Sequence, residues 1–162
     1  MRKLMTAAAI LAGAVAWSGA ASAADHEIKM MNKGPDGQMM EFVPSFLHIQ
    51  PGDTVTFVPA DKSHNSESIP GMIPEGAEGW KGKINDSVKV TFEKEGVYGF
   101  KCLPHYGMGM VGLIAVGDDL DNLDEAEKVK HPGKAGERMA ALEKKAEAIE
   151  KAEAGHQKTA AK

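Results

Sequence analysis

The feature that most constrains this chain is a short segment that carries a thiol, an imidazole and a thioether. Cys102, His105 and Met110 follow the spacing Cys-x2-His-x4-Met. The residues on either side are β-branched, aromatic and aliphatic, which predicts two strands, 97–102 and 111–116, joined by a tight loop. Such a loop would bring the three donor side chains together at the turn between the strands.

The backbone of this loop is restricted as well as short. Pro104 fixes its own φ and holds Leu103 extended, because the proline ring disfavours the helical region for the preceding residue. Two glycines in the loop allow the sharp reversal that returns Met110 toward Cys102. We therefore expect the loop to hold its donors in fixed positions.

The donor types point to copper. Soft sulfur donors combined with imidazole suit copper, whereas zinc and hard cations do not select a thioether. Cys102 is the single cysteine of the chain, so an internal disulfide cannot form. In an exported chain a lone thiol needs another role, and its neighbours favour metal ligation over a free reactive thiol or an inert buried cysteine.

The N-terminal residues have the form of a secretory signal. Arg2 and Lys3 precede an apolar run over residues 4–17, and small residues follow up to Ala23. We expect cleavage of residues 1–23, and the apolar run is too short to remain as a membrane span. Loss of the two basic residues would change the formal charge from −4 to about −6, which argues against nucleic acid as a partner.

The remaining chain is predicted to form one domain with a tail. Short alternating segments separated by turn residues predict a β-sandwich or barrel over residues 24–117. Besides the two strands around the donor loop, the predicted strands are 27–32, 46–50, 54–58 and 87–92. Residues 59–85 lack the alternation and are predicted to form a long loop.

Residues 118–154 have a different composition, which predicts a helical extension. Strong helix formers indicate two helices, and His131-Pro132-Gly133 separates them. The second helix has only a narrow apolar stripe, so we expect its first half to pack on the sandwich and the rest to fray beyond Glu150. Residues 155–162 are predicted to be disordered.

Three donors leave a copper site incomplete, and His64 is the best candidate for the fourth ligand. It follows a predicted strand, and with Cys102 and His105 it would form a histidine-histidine-thiolate set. The other histidines fall at a terminus, at a solvent-facing strand position or in the helical tail: His26, His48, His131 and His156. Met108 is the rival to Met110 as the thioether ligand, although it would require a shorter loop.

These residues carry a resemblance to a known family. Residues 51–57 (PGDTVTF), 63–65 (SHN), 72–77 (MIPEGA), 101–106 (KCLPHY) and 108–110 (MGM) are similar to the pseudoazurins, a family of type 1 blue copper proteins. The resemblance extends over about residues 27–139, and the helical tail separates this family from plastocyanins with the same donor spacing. The chain departs from the family by one extra residue near 38–43 and by a longer tail.

The resemblance implies both a fold and a ligand set. The implied fold is all-β, an eight-stranded Greek-key cupredoxin β-sandwich with two C-terminal α-helices. The ligands of one copper ion in the family fall on His64, Cys102, His105 and Met110. Asn65 falls on the family's asparagine that ties the ligand loops together, and Pro104 lies beside the ligands in the loop.

The function implied is that of an electron carrier and not of an enzyme. Four protein donors leave no open position for a substrate. The resemblance implies a soluble, monomeric, periplasmic protein that shuttles one electron through Cu(I) and Cu(II) to copper nitrite reductase or other denitrification reductases. A periplasmic copper chaperone or storage protein is the alternative, and a cysteine-histidine hydrolase is disfavoured because no orienting partner or oxyanion loop is evident.

The resemblance also implies a docking surface around His105. Its apolar part would include Leu103 and Tyr106. The lysines that surround this patch in the family fall on Lys33, Lys62, Lys81 and Lys101. In an acidic protein such lysines would create a dipole that steers a partner, while ordinary solvated lysines are the alternative.

Overall fold

The computed structural model describes residues 23–160, with side chains up to His156. The predicted signal therefore lies outside the described residues, apart from Ala23. The strands are β1 Asp25–Lys33, β2 Met39–Val43, β3 Phe46–Ile49, β4 Thr54–Pro59, β5 Glu67–Ser68, β6 Val88–Thr91, β7 Gly96–Lys101 and β8 Val111–Val116. Two helices follow, α1 Leu123–Ala126 and α2 Ala135–Ala160.

The strands form two four-stranded sheets packed face to face. The order is β2-β1-β4-β6 in one sheet and β3-β8-β7-β5 in the other. β1 pairs with β4 and β3 pairs with β8 in parallel, and the remaining pairs are antiparallel. The predicted all-β sandwich of eight strands with two C-terminal helices is confirmed.

The core between the sheets is aromatic. The ring of Phe100 lies edge-on to Phe42 and Phe57, with centroid distances of 4.8 and 5.0 Å. Cys102 and Met110 belong to the same buried cluster. Two of the predicted ligands are thus part of the hydrophobic core, so the packing that stabilises the fold also restrains them.

A second buried cluster joins the β3-β8-β7-β5 sheet to the helices. Val97 and Leu113 from the sheet pack with Leu123 of α1 and Met139 of α2. The first half of α2 therefore packs on the sandwich, as its apolar stripe predicts.

Within residues 23–160, no helix combines the length and hydropathy needed to cross a bilayer.

Four elements differ from the sequence-based expectations. β2 was not predicted, because its residues do not alternate and Met40 has a left-handed φ of 53°. The two-residue β5 lies inside the predicted loop of residues 59–85. α1 is a single turn that begins after Asn122, whose side chain accepts the N–H of Val97 and donates to the Val97 carbonyl, so that this residue is held against β7 and not within a helix. α2 continues through Ala160 where fraying beyond Glu150 and disorder from residue 155 were expected, and the alanines, glutamates and lysines that precede Gly155 favour this long helix.

We predict that Gly112→Ala destabilises the protein by about 1–3 kcal/mol, measured by urea unfolding. Gly112 faces Phe100 across the β7–β8 pair, and a Cβ at this position would lie 2.1 Å from the ring. The ring cannot move aside easily, since Phe42 and Phe57 pack against it. Gly107→Ala is the matched control, because no atom lies within 4 Å of the added carbon. Equal stability of the two variants would show that the aromatic core can rearrange.

Candidate metal centre

Three of the four predicted ligands converge at one end of the sandwich. His64 lies between β4 and β5, and Cys102 and His105 follow β7. The Nδ1 atoms of His64 and His105 are 3.1 Å apart, and Cys102 Sγ lies 3.7 and 3.4 Å from them, respectively. The three ligand atoms lie within 4.8 Å of one another and could hold a metal ion.

The two methionines of the loop occupy different environments. Met110 is fully buried beside Cys102, while Met108 is 48% exposed. The N–H of Cys102 donates to the Met110 carbonyl at 3.0 Å, and the N–H of Met110 donates to the His105 carbonyl at 3.2 Å. These backbone bonds hold Met110 next to the other donors, which favours Met110 over Met108 as the thioether ligand.

A hydrogen bond from β1 orients His64. The Oδ1 atom of Asn32 lies 2.9 Å from His64 Nε2, and an amide oxygen can only accept, so Nε2 carries the proton. The Nδ1 lone pair then faces Cys102 and His105. Burial and the charge of His105 lower the pKa of His64, which favours the neutral imidazole that a metal requires. Sequence reasoning missed Asn32, because only the parallel pairing of β1 and β4 brings it to this site.

Cys102 is fully buried, and its chemistry fits a metal ligand better than a nucleophile. Burial raises the pKa of the Cys102 thiol, although backbone N–H groups of Asn65 and His105 oppose the rise. A thiol of raised pKa is protonated and unreactive unless a cation stabilises its thiolate. The environment therefore disfavours the hydrolase alternative.

Asn65 connects the segment of His64 to the ligand loop. Its Oδ1 accepts the N–H of Leu103 at 2.7 Å, and its Nδ2 donates to the Gly82 carbonyl at 3.1 Å and to Glu67 at 3.2 Å. Glu67 in turn pairs with Lys101 at 3.5 Å. The amide thus bridges two loops that are far apart in sequence, in the position that the resemblance implies.

The C-terminal helix also holds the ligand loop. The Nη1 group of Arg138 donates to the carbonyls of Gly109 and Met40, each at 2.9 Å. The hydroxyl of Tyr106 lies 2.5 Å from Nδ1 of His131, in the segment between the helices. His131 and Arg138 were both expected to belong to the helical tail. No local sequence pattern predicts their contacts with the ligand loop.

The surface around His105 is apolar at its centre. Leu103 is 50% exposed, Pro104 is exposed, and His105 and Tyr106 are partly buried.

Three of the four predicted docking lysines are exposed, namely Lys33, Lys62 and Lys81. Lys101 differs, because its side chain is only 15% exposed. It pairs with Glu67, and its Nζ lies 4.8 Å from the Tyr106 ring centroid. A substitution of Lys101 would therefore disturb the loop as well as the surface charge.

The donor set fits copper. One thiol and two imidazoles converge, a buried thioether lies beside them in the core, and none of these four side chains is a carboxylate. Magnesium and calcium require oxygen ligands, while this mixture of soft sulfur and imidazole suits copper.

We expect Met110→Leu to change the visible spectrum and the reduction potential of the copper-loaded protein, since a thioether ligand tunes both. Met108→Leu makes the same chemical change at an exposed side chain and is the matched control. Absorption spectra and voltammetry of both variants provide the measurement. A larger effect of the Met108 substitution would reverse the roles of the two methionines.

Comparison with known proteins identifies the family. Residues 28–117 match the family described as copper binding proteins, plastocyanin/azurin family. A pseudoazurin of Paracoccus pantotrophus is 52% identical over 132 residues, which cover 82% of this chain and 90% of that protein. The crystal structure of native pseudoazurin from Hyphomicrobium denitrificans matches with a TM-score of 0.72 at 45% identity, covering 75% of this chain and 97% of that one. The pseudoazurin structure from Methylobacterium extorquens matches with a TM-score of 0.71 at 47% identity, covering 75% and 98%, respectively. The chain therefore belongs to the pseudoazurins, within the plastocyanin/azurin family of copper-binding proteins.

Proposed function

We propose that this chain is a periplasmic one-electron carrier that donates electrons to copper nitrite reductase or another denitrification reductase. The copper ligands in this proposal are His64, Cys102, His105 and Met110. The observation that carries it is the convergence of the two imidazole Nδ1 atoms and the thiol within 4.8 Å, next to an exposed apolar patch. Copper bound there supplies a centre that changes between Cu(I) and Cu(II).

The protein's part in this function is to keep the donors in place. Asn65 fixes the start of the ligand loop through the N–H of Leu103, and Arg138 fixes its end through the carbonyl of Gly109. Asn32 sets the orientation of His64. A site that moves little between two oxidation states has a small reorganisation cost, which favours rapid electron transfer.

His105 provides the route to a partner. It is the most accessible of the three converging ligands, since His64 and Cys102 are fully buried. Leu103 and Met108 lie in the same loop, and each residue is about half exposed. A small apolar contact of this kind suits a transient encounter, in which the partner's redox centre approaches the imidazole edge.

The burial of His64 and Cys102 favours an electron carrier over a copper chaperone or an enzyme. A copper chaperone must present its ligands to a partner, whereas the thiol of Cys102 and the imidazole of His64 are 0% exposed. An enzyme would need a ligand position open to substrate, and four protein donors leave none. These features support a carrier that keeps its copper while it exchanges electrons.

The location in the periplasm rests on the predicted secretory signal at residues 1–23. A single cysteine held as a metal ligand is consistent with an oxidising compartment, because the metal protects the thiolate. We propose a soluble monomer as the working form.

We expect Cys102→Ser to abolish the intense visible absorption and the redox cycling of the copper-loaded protein. A hydroxyl is a hard, weak donor that does not replace a thiolate on copper. Absorption spectra and voltammetry test this expectation, and circular dichroism confirms that the variant is folded. A serine variant that kept its colour and electron transfer would show that the ligand assignment is wrong.

We expect Lys62→Glu and Lys81→Glu each to slow electron transfer to an acidic nitrite reductase by about 3- to 10-fold at low salt. Both lysines are exposed, and their charges act mainly on the association rate. Added salt should narrow the difference, because the Debye length falls to about 8 Å at physiological ionic strength. Stopped-flow rates over a salt series provide the measurement.

Lys144→Glu is the matched control, since it makes the same charge change at an exposed position of α2. Lys101 is not a suitable test residue, because Lys101→Glu would place two carboxylates together at Glu67. Equal slowing by all three variants would mean that net charge alone matters. An unchanged rate in the Lys62 and Lys81 variants would remove these lysines from the docking surface.

A further inference from the structure

The residues after the predicted signal have a chemistry of their own. A chain cleaved after Ala23 begins Ala24-Asp25-His26, with a free amine and a histidine at the third position. Such a terminus can wrap a metal ion with four nitrogens: the amine, the second and third backbone amides, and Nδ1 of the imidazole. A planar set of four nitrogens is a ligand type that Cu(II) and Ni(II) prefer.

The structure places the Ala24 nitrogen and the His26 ring, the first and last groups of this chelate, beside the same carboxylate, that of Asp53. The backbone nitrogen of Ala24 lies 2.7 Å from Asp53 Oδ1, and His26 Nε2 lies 3.0 Å from Asp53 Oδ2. Asp53 is only 5% exposed, and it also accepts the N–H of Gln50 at 3.0 Å. A terminal amine could keep donating a hydrogen to Asp53 while its lone pair binds a metal.

The same contact selects the tautomer of His26 that the chelate needs. N–H groups of Ala24 and Gln50, together with the His26 side chain, lower the pKa of Asp53 and favour its ionised form. An ionised carboxylate can only accept, so the proton of a neutral His26 resides on Nε2. The lone pair is then on Nδ1, and a carboxylate behind the opposite nitrogen is a common support for metal-bound histidine.

The N-terminal residues are accessible, and metal binding would separate only the first residues of β1 from the sheet. Ala24 and Asp25 are exposed, and the His26 side chain is 28% exposed. Binding through the amides would release the first residues of β1 from β4, where His26 lies opposite Val55. Ile28 is fully buried in the core and would anchor the strand beyond that point.

This terminus is far from the ligand loop. Asn32, near the end of β1, hydrogen-bonds His64, whereas His26 stands six residues earlier on the same strand. At about 3.3 Å per strand residue, His26 lies roughly 20 Å along β1 from Asn32, the residue that contacts His64. The two groups of donors therefore cannot share one metal ion.

We propose that the mature chain has a second metal site, specific for Cu(II) or Ni(II), formed by the Ala24 amine, the Asp25 and His26 amides and His26 Nδ1. Binding releases the two amide protons and any proton on the amine to solvent, and the metal keeps its oxidation state. Two amide anions favour Cu(II) over Cu(I), so this site would hold copper without cycling. The proposal is independent of electron transfer at the first site.

The test uses the protein exported with its own leader and loaded with one copper at the first site. Intact mass first establishes whether the chain begins at Ala24. One further equivalent of Cu(II) is then added in the presence of excess glycine as a competing ligand. We expect a second bound copper with a weak visible band and its own paramagnetic resonance signal, while the intense absorption of the first site stays unchanged.

Two variants isolate the proposed site. A chain that begins at Ala23 keeps every side chain but moves His26 to the fourth position, so it should lose the second copper. His26→Gln should lose it as well, whereas His156→Gln should bind as the unmodified chain does. Retention of the second copper by the chain beginning at Ala23, or a mature chain that begins elsewhere, would overturn the proposal.

Discussion

The metal centre depends above all on the bridge that Asn65 makes between two loops. Its amide oxygen accepts the N–H of Leu103 and its amide nitrogen donates to Gly82, so one side chain links three segments of the chain. Hydrogen bonds in a buried setting are costly to leave unmade, which makes this bridge a strong constraint. It holds His64, which directly precedes Asn65, and Cys102, which directly precedes Leu103, within reach of one another.

The core and the site share the same packing. Cys102 and Met110 lie in the cluster around the ring of Phe100, and α2 covers the ligand loop through Arg138. The donors are therefore held by both sheets and by the C-terminal helix. A centre built in this way resists rearrangement when its charge changes by one electron, which is the physical requirement for a carrier.

Charged side chains near the site have separate roles. Glu67 and Lys101 form a largely buried ion pair, and Glu67 also accepts a hydrogen bond from the Asn65 amide. Lys62 and Lys81 are exposed, and we propose that they belong to the surface that a partner approaches. A buried pair responds strongly to the loss of one partner, whereas exposed charges act mainly on association, so a shared positive charge does not imply a shared function.

The sequence by itself determined the fold class and the donor set. The spacing of Cys102, His105 and Met110 is a local property, because nine residues between two strands leave the backbone few arrangements. The chemistry of these donors then pointed to copper and to a second histidine, for which His64 was the best candidate.

Only the tertiary structure decided which residues support the donors. Asn32, His131 and Arg138 reach the site through strand pairing and helix docking, across separations of 25 to 99 residues in the contacts they make. Likewise, the burial of Lys101 beside Glu67 is not visible in its sequence neighbourhood. Such contacts depend on how distant segments pack, and no local spacing or composition encodes them.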